Sequence, residues 1–320
     1  MGLTRKTTTI SQAAALLQNA GSVALFAHTN PDGDAVGSCV ALKLMLLQLC
    51  KRVEVFCDSD LSNRLASFEQ TQSISKDYFG KYDLLVAVDC SDSSRVGQLE
   101  PIFVSARETL TVDHHGGEYF SKYNCVRNYA SCCQIVYEIG KELDVKLDCE
   151  IATYLYMGLC TDTGNFAHNN TDVDCFRMAG NLLACGADIE RVYRAFFRDT
   201  TLAETKLLAR ALSRIRSYYD EKMFLTYVTA KDLSEFGVSH TTTSGIVPFL
   251  IDIDTAKLGV CICEVTPNHY RVSMRGKDFS ARDVCAEFGG GGHVLAAGCR
   301  IDGFLEDVIE KIVRVAGYTI

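Results

Sequence analysis

The sequence lacks several things that would place it quickly. None of its fifteen cysteines forms a Cys-x-x-Cys pair, and many sit inside apolar runs such as Gly259-Val260-Cys261-Ile262-Cys263. That excludes a zinc finger or a disulfide framework and points to reduced core thiols. No apolar run is long enough to span a membrane, since the longest, Cys39 to Cys50, is interrupted by Lys43 and Gln48. The segment Met1 to Ile10 is polar and has no apolar stretch of signal-peptide length, so a cytoplasmic location and no membrane partner are expected. A basic excess is missing too: the formal net charge is −8. Holding long duplex nucleic acid needs an extended cationic face, so that class is excluded. A short or small anion is not, because a few local cations and metal ions can hold it. Internal repeats and low-complexity segments are also missing.

What the chain does have is length and apolar content, 320 residues with 48% hydrophobic, enough for two cores. Short apolar runs at Val23 to Ala27, Val53 to Cys57, Leu84 to Asp89 and Leu110 to Asp113 alternate with helical patterns, the clearest from Val36 to Leu49. This is the pattern of βαβ units in a mostly parallel sheet. Helical periodicity follows over 130–143, 151–160, 173–183 and 189–197, and an amphipathic stretch over 202–215 reads as a connector. Beyond it, Met223 to Val228, Gly259 to Val265 and Tyr270 to Met274 alternate as half-buried strands, the last two as a hairpin, and a helix over 305–315 closes the chain. The expected fold class is α/β: an N-terminal mostly parallel sheet with flanking helices over 1–200, a helical linker over 201–222, and a smaller α/β C-terminal domain over 223–320.

Ligands of parallel sheets sit beyond the carboxyl ends of the strands. Three strands end there in chemically active residues: His28, followed by Asn30-Pro31-Asp32-Gly33-Asp34; Asp89; and Asp113-His114-His115. A fourth segment, Cys160-Thr161-Asp162-Thr163-Gly164, places another carboxylate after an apolar helix. Each has an ordinary explanation as a turn, helix-cap or helix-end residue. Joined, however, His28, Asp32, Asp34, Asp89, His114 and Asp162 would put four carboxylates in one cleft, where they cannot all stay ionised without cations. Two divalent ions resolve that conflict, and an oxygen-rich donor set suits Mn²⁺ or Mg²⁺ better than zinc. A metal pair about 3.5–4 Å apart favours phosphoester hydrolysis, although other bonds are hydrolysed by similar clusters. In the C-terminal part, Arg275 and the run Gly289-Gly290-Gly291-Gly292-His293 could clamp an anion through backbone N–H groups and charge, or simply form a tight turn. Metals on one domain and an anion clamp on the other predict a cleft between them.

With these segments in view, the chain resembles the DHH phosphoesterases, in particular the type that combines oligoribonuclease and 3′-phosphoadenosine 5′-phosphate phosphatase activity. The resemblance covers the chain from about Gly21 onward and rests on His28 to Ser38, Val88-Asp89, Asp113-His114-His115, Cys160 to Gly164, Val272 to Arg275, Gly289 to His293 and Ala296-Ala297-Gly298. It implies a manganese-dependent hydrolase of short RNA oligonucleotides, dinucleotides and 3′-phosphoadenosine 5′-phosphate. His28 and Asp32 would bind one ion, Asp34, His114 and Asp162 the other, and Asp89 would bridge them. Asp113 would orient His114, and His115 would lie beside the scissile phosphate. Arg275 and His293, with Gly290, Gly291 and Gly292, would grip the substrate's other phosphate or terminal nucleotide, and Arg95 and Ser131 would supply further polar contacts. Cys132 and Cys133 depart from the family pattern, where hydroxyl residues are usual, which puts helix packing or a minor substrate contact in doubt. The rival enzyme reading is a second-messenger phosphodiesterase for cyclic or linear dinucleotides; a non-catalytic nucleotide-binding module is the rival of another class. A homodimer is left open.

Overall fold

The sheet of the first unit has seven strands, and every neighbouring pair is parallel. The computed structural model describes residues 5–116, 119–318 and 320 and divides into two units, Met1–Asp199 and Thr200–Ile320. The first unit begins β1 (Lys6–Thr7), α1 (Ile10–Asn19), β2 (Ser22–Ala27), α2 (Gly33–Gln48) and β3 (Arg52–Phe56). It continues α3 (Asn63–Ala66), β4 (Ile74–Ser75), β5 (Leu84–Val88), α4 (Glu100–Ser105), β6 (Thr109–Asp113) and β7 (Tyr123–Val126). Four helices complete it: α5 (Cys132–Glu142), α6 (Cys149–Asp162), α7 (Val173–Ala184) and α8 (Ile189–Tyr193). The strands lie in the order β1-β7-β6-β5-β2-β3-β4.

Because helices cover both faces, the central strand β5, Leu84-Leu85-Val86-Ala87-Val88, is apolar and buried along its whole length. One face packs Val23, Leu25, Val86 and Val88 against α1, α2, α5 and α6. The other packs Phe26 and Phe56 with Phe103 of α4 and the segment around Tyr78 and Tyr82. The parallel α/β sheet is the one the sequence pattern predicts. Strands β2, β3, β5 and β6 stand where the apolar runs stand, whereas α1, β1, β4 and β7 are additions. β7 escapes the pattern because its central Asn124 is buried yet polar, satisfied by bonds to Ser121, Lys6 and Thr8.

The second unit runs α9 (Leu202–Leu212), β8 (Arg216–Tyr218), β9 (Met223–Val228), α10 (Ala230–Phe236), α11 (Val247–Ile251) and β10 (Leu258–Thr266). It ends β11 (His269–Gly276), α12 (Ala281–Ala286), β12 (Gly291–His293), β13 (Ala296–Asp302) and α13 (Leu305–Ala316). Its sheet has the order β12-β13-β11-β10-β9-β8, antiparallel except between β9 and β10. The alternation of β10 is explicit: Val260 and Ile262 join a core with α13, while Cys261 and Cys263 face Leu207 and Ala211 of α9 on the other side. Helix α9, which the sequence suggests as a connector, is thus a packed layer of this unit. Its Arg210 and the following Arg214 are bound to Asp232 of α10. Among the described residues no helix is long and apolar enough to cross a membrane.

Candidate metal centre

Strands β6, β5 and β2 are adjacent, so the residues that follow them leave the sheet side by side. Asp89, just past β5, stands between His28, just past β2, and His114, just past β6. Its φ is +60°, a left-handed conformation that costs a non-glycine residue about 1–2 kcal/mol and marks a position held for its side chain. One Asp89 oxygen lies 3.7 Å from His28 Nε2 and the other 3.4 Å from His114 Nε2.

Helix α2 contributes two carboxylates from its first turn. Asp32 caps it by accepting the N–H groups of Asp34 and Ala35, and its Oδ1 is 3.8 Å from His28 Nε2. Asp34, fully buried, accepts N–H bonds from Cys132 and Cys133 at the start of α5 and a hydroxyl bond from Ser38. Asp162, at the end of α6, and Asp34 both approach His114 Nε2, at 3.2 and 3.8 Å. Asp34 reaches Asp162 because α2 and α6 cross closely: a methyl on Gly33 would overlap Thr161, one on Gly37 the Tyr154 carbonyl, and one on Gly158 both Cys133 Sγ and Asp34.

Both imidazoles are aimed by backbone carbonyls. His28 Nδ1 donates to Thr29 O at 2.8 Å and His114 Nδ1 to Tyr129 O at 3.1 Å, which directs each Nε2 at the carboxylates, where it can carry a proton or, without it, hold a cation. Asp113 does something other than the expected orienting of the His114 ring. Its Oδ1 accepts from His115 Nδ1 and from the backbone N–H of His114, both at 2.9 Å, because the Tyr129 carbonyl already occupies His114 Nδ1. His115 is half-exposed, and its ring centroid is 4.1 Å from that of His114.

The donor atoms fall into overlapping groups, His28–Asp32–Asp89 and Asp34–His114–Asp162, with His114 also grouped with Asp89, Asp113 and His115. Asp89 Oδ1 and His114 Nε2 are buried without a hydrogen-bond partner, which is costly unless a cation takes up their lone pairs. The titration of the site points the same way. Burial and the Asp89 charge push Asp34 up, and burial and the Asp34 charge push Asp162 up to about 7. Burial alone would lower His114, but Asp162, Asp89 and Asp34 drive it up to about 11. Near neutral pH the cluster therefore holds protons that a divalent cation can displace. Carboxylate and imidazole donors without a thiolate fit a divalent ion of the Mn²⁺ or Mg²⁺ kind.

The remaining predicted site residues are placed less uniformly. Ser131 is fully buried at the start of α5, and its Oγ has no hydrogen-bond partner there. The thiols of Cys132 and Cys133 are fully buried as well, beside the Val112 carbonyl and Ser38. The departure from hydroxyl residues is absorbed in packing, and it is their backbone N–H groups that serve the site. Arg95 is exposed, and its carbonyl accepts the N–H of Thr29, next to His28. In the second unit, Arg275, Gly290, Gly291 and His293 line a groove of about 1040 Å³. Gly292 is outside that lining, turned with φ +141° against Ala296 and Ala297, and Gly291 to His293 pair with β13 as an edge strand rather than a free loop. The carbonyls of Thr29 and Tyr129 leave no trace in side-chain identity, and nothing in the sequence marks them. The Gly33–Gly37 spacing was a visible sign of the close helix crossing.

The profile of the DHH family, N-terminal domain, matches residues 22–159. The bifunctional oligoribonuclease and PAP phosphatase NrnA of Thermus thermophilus is 30% identical over 312 residues, covering 93% of this chain and 92% of its own. The protein of the same name from Mycoplasma genitalium is 25% identical over 315 residues, covering 95% and 98%. Among solved structures, an exopolyphosphatase-related protein from Bacteroides fragilis superposes with a TM-score of 0.88 at 22% identity, over 97% of this chain and 95% of that one, a likeness of fold.

Proposed function

The chain belongs to the DHH family, and from that membership we propose that it is a phosphoesterase with two substrates. It hydrolyses short oligoribonucleotides and dinucleotides to mononucleotides, and it removes the 3′-phosphate of 3′-phosphoadenosine 5′-phosphate to leave AMP. These are the activities in the names of relatives that match it over nearly their whole length. The observation that carries the reading is Asp89, strained and buried, with one oxygen toward His28 and the other toward His114.

Two manganese ions are the proposed cofactor: His28 and Asp32 would hold one, Asp34, His114 and Asp162 would hold the other, and Asp89 would serve both. Bound there, divalent ions supply Lewis-acid stabilisation of the phosphoryl oxygens and lower the pKa of the attacking water. The residues of the chain fix the ligand geometry: the Thr29 and Tyr129 carbonyls set the imidazole planes, and the Cys132 and Cys133 N–H groups set the Asp34 carboxylate. His115, held at Nδ1 by Asp113, keeps Nε2 for a phosphate oxygen or the leaving group, and the Asp113 bond raises its pKa so that it carries the proton it must give. Arg275, the glycine run and His293 bind a second substrate phosphate.

The test is incubation of the purified protein with Mn²⁺ and either a labelled diribonucleotide or 3′-phosphoadenosine 5′-phosphate. Release of mononucleotides and of inorganic phosphate is expected. No turnover of either substrate overturns the proposal.

A further inference from the structure

On one face of the second sheet, Arg271 of β11 and Arg300 of β13 stand directly opposite one another, and both line the groove that Arg275 also lines. Opposed residues of antiparallel strands have Cβ atoms about 4.5–5.5 Å apart, a spacing at which like charges repel. Other arginines of this unit are neutralised, Arg210 and Arg214 by Asp232 and Arg216 by Glu306. Among the described residues Arg271 and Arg300 make no such ion pair. The one carboxylate lining the groove, Asp302, is bound by His269 Nδ1 at 2.7 Å. His240 and His293 line the same groove and add no negative charge. A cross-strand guanidinium pair in a concavity, with the one carboxylate among its described lining residues already engaged, is an anion site. Two planar forks fit the oxygens of a phosphodiester.

We propose that Arg271 and Arg300 form a second phosphate subsite for the backbone of an oligoribonucleotide. The proposal rests on the oligoribonuclease reading and names which substrates it favours. Arg271 is four residues from Arg275 along β11, about 13 Å at strand rise, and Arg275 Nη1 is turned onto the Met274 carbonyl, so the pair and Arg275 are assigned separate phosphates. A 5′-phosphorylated dinucleotide or 3′-phosphoadenosine 5′-phosphate has two phosphates, one for the reacting centre and one for Arg275. A phosphate for the arginine pair exists only in trinucleotides and longer chains. The pair therefore makes the enzyme sensitive to oligonucleotide length.

The experiment compares the wild type with the double variant Arg271→Ser/Arg300→Ser, using 5′-phosphorylated di- and pentaribonucleotides and Mn²⁺. The ratio of kcat/KM for pentamer over dimer should fall at least about tenfold, and the salt dependence of pentamer binding should lose about 0.7 in log–log slope for the one phosphate released. An unchanged ratio, or an equal loss on both substrates, overturns the subsite. If the double variant does not fold, Arg300→Ser alone, at an exposed position, must move the ratio in the same direction. Anisotropy titration of a fluorescein-labelled pentaribonucleotide in EDTA separates the two claims. Weaker binding by the variant supports the subsite even if the wild type turns nothing over, a result that would sink the oligoribonuclease reading alone; equal binding overturns the subsite whatever the activity.

Discussion

At the scale of single residues, Asp89 has the least freedom. Its backbone is left-handed, its side chain is buried, and burial together with the neighbouring carboxylates pushes its pKa up while His114 pulls it down. Those costs fit the proposed sharing of this side chain by two cations. Asp89→Ala should lower kcat by about three orders of magnitude, roughly 4 kcal/mol of barrier, and weaken Mn²⁺ binding in calorimetric titration. Turnover close to wild type would remove Asp89 from the mechanism. Asp113 acts one step further out. Its bond to His115 Nδ1 is the main reason the His115 pKa is raised, so the protonated ring persists to higher pH in the wild type. In Asp113→Asn that support is gone, and the alkaline limb of the kcat profile should move to lower pH, with kcat down about 10–100-fold. A limb that stays in place would mean that His115 is not the group giving the proton. The residues of the centre were readable in the sequence because the chemistry demands those residue types at strand ends. The carbonyls of Thr29 and Tyr129 were not, because every residue has a carbonyl and only the fold selects one.

At the scale of elements, the centre depends on how closely α2 passes α6. Gly33, Gly37 and Gly158 are packed so tightly that a Cβ on any of them would overlap a neighbour. Gly158→Ala is the most informative change, since its methyl would press on Cys133 Sγ and on the Asp34 carboxylate at once. Overpacking of this kind costs about 1–3 kcal/mol, and here it should also displace a metal ligand. The expected result is a lower Tm together with weaker Mn²⁺ binding; a variant with lowered Tm and unaltered Mn²⁺ affinity would show that the crossing serves packing alone. Of the strands that carry the site, β2 and β5 were legible because burial on both faces makes them nearly continuous apolar runs, and β6 because its β-branched Thr109, Thr111 and Val112 surround Leu110. β7 was not, since a buried Asn124 breaks the run while its hydrogen bonds to Ser121, Lys6 and Thr8 are tertiary. Ser131 carries a similar ambiguity: a serine before a helix is equally fit to bind a ligand or to start a helix, and here its hydroxyl is buried without a partner.

At the scale of the whole molecule, a chain with a net charge of −8 handles polyanions only where positive charge is supplied locally. In the second unit the proposed source is its arginines, charged at any physiological pH. In the first unit the proposed source is bound cations, and there pH intervenes. Asp34 and Asp162 have raised pKa values, Asp162 about 7, so the folded chain holds their protons more tightly than the unfolded chain does. Their contribution to stability is complete below the ordinary carboxylate value of 3.8 and is lost as pH rises through about 7. His114, raised from 6.5 to about 11, follows the same sign over a higher window, complete below 6.5 and lost toward 11. The metal-free protein should therefore lose stability from acid through neutral pH, as the centre gives up protons and its carboxylates repel. Bound Mn²⁺ replaces those protons and stabilises the native state in proportion to its affinity, which rises as proton competition falls. The increase in Tm on adding saturating Mn²⁺ should thus be larger at about pH 8 than at about pH 5.5 in scanning calorimetry, and weak buffers should register proton release on binding. Equal shifts at the two pH values would mean that the ion binds somewhere other than among Asp34, His114 and Asp162.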